Sequence, residues 1–190
     1  MKARKLVQIG LFALIVAGVV PASASTFVAM TAEELIQEAD AVVQGRVIRL
    51  ESKWDAEGRI IVTEATVQVS DTIVGNAPAQ IVVQTPGGKV ADYRVEALGF
   101  PQLAEGEEVV LFVKTDQSIQ MSRIVGHQQG HFEVVTRLDG VTLAVPRIED
   151  GVSFLTPSGR FIPAPPSTEL NTFKGRVRAE AARIGKPVQK

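Results

Sequence analysis

From Ile61 to Ser70 the chain alternates with a period of two. Ile61, Thr63, Ala65, Val67 and Val69 fall on one face of an extended backbone, and Glu64, Thr66, Gln68 and Ser70 fall on the other. A helix, with its period of 3.6, would scatter that pattern, whereas a strand with one dry and one wet face satisfies it. Such a strand needs partners, and the rest of the chain offers them. Ala41 to Leu50, Gln80 to Thr85, Val109 to Val113, Ile119 to Val125, Phe132 to Leu138, Val141 to Val145, Val152 to Leu155 and Arg160 to Ile162 read as short strands. Turn residues part them, at Asp55-Ala56-Glu57-Gly58, Gly75-Asn76-Ala77-Pro78, Pro86-Gly87-Gly88 and Glu105-Gly106-Glu107. Asp139-Gly140 is a two-residue hairpin signal, and Val90 to Leu103 is a looser stretch. Short, evenly spaced strands predict an all-β barrel or sandwich. Gly45, in the middle of the first long strand, predicts a bulge or sharp bend of the kind a small barrel requires.

Two helical signals flank the strands. Thr31 and Glu34 form a capping box, and Met30 and Leu35 stand where a hydrophobic staple closes over it. Leu35, Ile36 and Ala39 give that short N-terminal helix one apolar side, and Asp40 ends the pattern. At the other end, Pro163 to Pro166 reads as a linker. Leu170, Phe173, Val177, Ala181 and Ile184 then share one helical stripe, with Lys and Arg elsewhere. The favoured reading packs this helix across the barrel mouth, its basic face near the acidic body. The other makes it a detachable basic helix that binds anionic lipid or a protein.

The first residues carry an export signal. Lys2, Arg4 and Lys5 precede a nearly unbroken apolar run from Leu6 to Val20, Pro21 breaks it, and Ala22-Ser23-Ala24 supplies the small-x-small cleavage pattern. Residues 1–24 are therefore read as a signal peptide, 25–162 as the β-barrel domain, and 163–190 as a Pro-rich linker with a basic amphipathic helix. The expected location is secreted or periplasmic, with no membrane span after cleavage. The 190 residues suffice for one domain, and with no cysteine its stability rests on a packed core alone. The same absence excludes thiolate metal sites and cysteine nucleophiles. Removing the signal takes three of the 20 basic residues and none of the 21 acidic ones, so the exported chain carries -4. An acidic body disfavours nucleic acid as a partner.

Candidate chemistry is sparse. His127 and His131 lie four apart, a spacing that on a helix would suit zinc. Glycines at both ends of that polar run, and strands beyond, predict two exposed loop histidines instead. Glu105, Glu107 and Glu108 flank Gly106 as a solvated turn rather than a calcium or catalytic cluster. No serine sits in a G-x-S-x-G elbow, and Gly87-Gly88 leads into no helix that could cradle phosphate. Trp54 and Tyr93, beside predicted turns, are either contact anchors or a barrel-end plug. No catalytic, cofactor-binding or metal-binding residue is assigned.

Several short runs carry a resemblance. Ser25-Thr26-Phe27-Val28, Ala39-Asp40-Ala41-Val42-Val43-Gln44-Gly45-Arg46-Val47, and Thr66-Val67-Gln68-Val69 with Gly75 resemble the netrin-like group, which includes the tissue inhibitors of metalloproteinases. Pro86-Gly87-Gly88 and Gly106-Glu107-x-Val109-Val110-Leu111-Phe112 resemble a pattern of secreted bacterial proteins. The resemblance implies an OB-type five-stranded barrel over roughly Thr26 to Gly130. In the inhibitors, disulfides pin the mature N-terminus, where a cysteine meets the target's zinc. Here Ser25 and Phe27 stand where cysteines are expected. The expectation is an all-β, OB-like (netrin-like) barrel, exported and non-enzymatic. It would be a binding module without cofactor, its partner another extracytoplasmic protein. A secreted metalloprotease inhibitor and a metal-dependent hydrolase using His127 and His131 are the alternatives.

Overall fold

A computed structural model describes residues 25–189; the signal-peptide reading of 1–24 lies outside them. The described chain is mostly β-sheet with two α-helices. Its strands are β1 (Ser25–Val28), β2 (Ala41–Trp54), β3 (Ile61–Gly75), β4 (Gln80–Pro86), β5 (Gly88–Val90), β6 (Tyr93–Val95), β7 (Glu108–Asp116) and β8 (Met121–Ile124). After a 3-10 turn at His127–Gly130 come β9 (His131–Thr136), β10 (Thr142–Pro146), β11 (Val152–Leu155), β12 (Phe161–Ile162) and β13 (Thr168–Glu169). The helices are α1 (Ala32–Glu38) and α2 (Leu170–Arg183).

Five strands of the main sheet close into a ring: β2, β3, β4, β8, β7 and back to β2. β8 closes it, antiparallel to β7 from Val113↔Ile124 to Asp116↔Met121 and parallel to β4 at Val83↔Ser122. The alternation of β3 fills the ring, Ala65 and Val67 pointing inward with Val43, Val47, Val83, Val109, Leu111 and Val113. β2 bends to follow the curve, and its register with β3 slips at Val42/Val43, Gln44/Gly45 and Val47/Arg49. From β7 the sheet continues outward through β9, β10 and β13.

β7 is buried on both faces, because a second core lies outside the ring. Val110 and Phe112 point away from the interior and pack with Leu35 and Ile36 of α1 and Leu170, Val177 and Ala181 of α2. α1 starts as the capping box dictates: Thr31 Oγ1 accepts from the Glu34 amide at 3.2 Å, and Glu34 Oε2 accepts from the Thr31 amide at 2.7 Å. The stripe on α2 is buried as its spacing requires, and its basic residues do meet the acidic body. Lys174 and Arg178 reach Asp71 at 2.5 and 3.1 Å, and Arg183 reaches Glu33 at 2.6 Å. The place differs from expectation, however. α2 covers the outer face of the ring wall, not its mouth, because the apolar side chains left uncovered by ring closure lie on that face.

Two turns also differ. The β9–β10 hairpin closes through Leu138-Asp139-Gly140, one residue longer than Asp139-Gly140 alone suggests, with the Arg137 amide on Val141 O and Gly140 at φ 83°. That is a type I turn finished by a left-handed glycine. The turn read at Pro86-Gly87-Gly88 leads directly into β5, which lies against the β2–β3 ribbon and pairs with β6 in the looser stretch.

Candidate functional site

The two histidines are not exposed loop residues, which corrects the sequence expectation. His131 begins β9 and is only 1% exposed. Its Nε2 lies 3.4 Å from Glu107 Oε1, and neither ring nitrogen has a hydrogen-bond partner among the described residues. His127, at φ 57°, turns the other way and packs between Phe27 and Phe100, with ring centroids 5.1 and 4.4 Å away. Burial, then the charge of Arg123, holds its pKa below the usual imidazole value. Four residues of separation suggested a shared face, but the 3-10 turn between them sends the rings into different surroundings. Among the described residues no group of three His, Asp or Glu side chains is placed to hold a metal ion.

The glutamate turn is also more structured than a solvated turn. Glu107 folds inward, its side chain only 9% exposed. Its carboxylate caps the Ala104 amide at 2.9 Å and faces His131. Burial alone would raise its pKa, but the interaction with His131 and the Ala104 amide outweighs burial and holds the pKa below the ordinary glutamate value. Glu105 and Glu108 stay at the surface, where Glu105 accepts from the Leu50 amide and Glu108 pairs with Arg46. Trp54 and Tyr93 plug nothing. They pack edge to face at 5.7 Å on the outside of the β2–β3 ribbon, 40% and 64% exposed.

The N-terminal strand is tied down without disulfides. β1 runs parallel to β11 from Ser25↔Val152 to Val28↔Leu155, and the Ser25 amide donates to Gly151 O at 3.0 Å. Gln129 clamps the exit of the strand, its Oε1 accepting from the Met30 amide at 2.7 Å and its Nε2 donating to Val28 O at 3.1 Å.

The feature that sequence reasoning missed is a cavity of about 380 Å3 in the outer core. Its floor is Phe112 and Phe132 of the sheet, its walls are Leu35 and Ile36 of α1 and Phe173 and Val177 of α2, and Pro163, Pro165 and Pro166 form a strap along one side. Phe132 stacks between Phe112 and Phe173, centroids 6.1 and 4.6 Å away, which holds the floor rigid. Two glutamines line it, but their side-chain oxygens are engaged with backbone: Gln128 Oε1 accepts from the Glu149 amide, and Gln129 is the clamp on β1. The charged groups of the lining, Arg176 and Glu180, belong to the α2 face that borders the cavity. The Pro-rich segment was legible only as a linker, since nothing local distinguishes a strap that walls a cavity from a spacer. Among the described residues no helix is long and apolar enough to cross a membrane. Neither the comparison with protein-family models nor that with curated proteins yields a match.

Proposed function

We propose that this protein is an exported, non-catalytic binding module built on an OB-like (netrin-like) barrel, and that its ligand is received in the apolar cavity between α1, α2 and the sheet. The closed ring of five strands supports the OB-like reading. The cavity carries the functional one. The space of about 380 Å3 is a cleft that opens to solvent, and its walls are mostly apolar, so it leaves apolar surface that a ligand can cover. It lies within the range of roughly 300–1,000 Å3 that small-molecule sites occupy, and it has their composition of apolar walls with a few polar groups. The His131–Glu107 contact is buried, with Nε2 3.4 Å from Oε1, which suits a structural role.

The test is titration of the purified protein with an apolar fluorophore whose emission rises on leaving water. Saturable one-to-one binding is expected, and it should be lost in Ala32→Phe, which fills the cavity from an exposed position on α1. Non-saturating binding, or binding indifferent to that substitution, would overturn the reading.

A further inference from the structure

We infer that the cavity takes a single-chain amphiphile with a carboxylate head, its chain among the phenylalanines and its head on Arg176; this rests on the cavity being the binding site. Phe173, Arg176, Val177 and Glu180 stand at i, i+3, i+4 and i+7 and form the strip of α2 that borders the cavity. Arg176 is exposed and Glu180 half-buried, so the charged half of this strip lies where the cavity meets solvent. The two charges are not equivalent. Glu180 is already paired: its Oε1 and Oε2 each accept from Arg183, at 2.6 and 3.1 Å, and Arg183 also holds Glu33. Arg176, four residues before Glu180 and well spaced to pair with it, makes no ion pair or hydrogen bond among the described residues. Its guanidinium therefore keeps its donors available at the rim of an apolar space.

Those donors form a planar fork that matches a carboxylate with two parallel hydrogen bonds. A cationic head would instead meet Arg176 itself, with the carboxylate of Glu180 already occupied. The cavity volume, at the low end for ligand sites, suits one chain rather than two.

Calorimetric titration of the purified protein with decanoate, decanol and decyltrimethylammonium separates the parts. Decanoate should bind one to one and about tenfold or more tighter than decyltrimethylammonium, as a charge-assisted pair requires. Arg176→Gln should weaken decanoate by about tenfold and leave decanol within about twofold. Equal binding of the anionic and cationic chains, or an Arg176→Gln effect shared by all three, would overturn the head-group assignment while leaving the cavity as the site. Binding by none of the three would remove both readings. Attachment to anionic phospholipid vesicles without decanoate binding would also overturn the inference, in favour of a membrane surface.

Discussion

Gly45 shows how much of the strand ring one residue encodes. Its backbone φ is not positive, so the position does not need glycine for its torsion angles. What it needs is the missing side chain. A Cβ there would overlap the carbonyl oxygen of Gln68 and lie 2.8 Å from Val67 Cγ1 on β3, where the β2–β3 register slips. Gly45→Val should therefore cost about 1–3 kcal/mol in urea unfolding, as overpacking does, although valine is the better strand former. A neutral or stabilising result would mean that β2 does not press on β3 there. The bend was legible because a glycine inside a β-branched run weakens the strand unless a bulge, a bend or a close backbone approach needs it. The burial of His131 was not, because it depends on β7, which pairs with β9 at Leu111↔His131, and on Glu107 in the turn just before β7. A histidine just after a glycine-bounded polar run reads as a loop residue until the strand that covers it is known.

At the scale of elements, local chemistry was legible and long-range pairing was not. The capping box of α1, the stripe of α2 and most strands follow from spacing within about ten residues. The partner of β1 does not, since it pairs with β11 more than a hundred residues later, and no local pattern names that neighbour. What holds β1 is Phe27, whose ring lies 6.4 Å from Phe100, 5.1 Å from His127 and 6.2 Å from Phe154. The ring also covers Gly99, at φ 84°, so closely that a Cβ there would overlap it. Phe27→Ala should release the strand while the ring of five stays folded. Hydrogen exchange is expected to show protection lost over residues 26–29 and at the β11 amides paired with them, with β3 and β7 unchanged. Uniform loss across the molecule would instead make β1 part of the global folding unit.

The described residues form two cores on either side of one sheet wall, and the response to acid should show two stages. His127 sits where β1, the segment around Phe100 and the 3-10 turn meet, and burial with the nearby charge of Arg123 depresses its pKa. A histidine with a folded pKa below its unfolded one is fully stabilising above the unfolded value of about 6.5. As the pH falls below that value the unfolded chain takes up the proton first, and stability declines until the folded pKa is passed. Glu34, Asp55, Glu107, Asp116, Glu169 and Glu180 all have depressed pKa values. Their contribution is complete above the unfolded carboxylate range and is lost only below roughly pH 4.5. The urea midpoint should therefore be flat above pH 7, fall once as the pH drops below about 6.5, and fall again in the carboxylate range. In His127→Phe, which keeps an aromatic ring between Phe27 and Phe100 but cannot take up a proton, the first decline should shrink and the second remain. A first decline as large in the variant as in the parent would show that His127 does not carry it, and a midpoint that rises on acidification from pH 7 to 5 would reverse the sign assigned to that histidine.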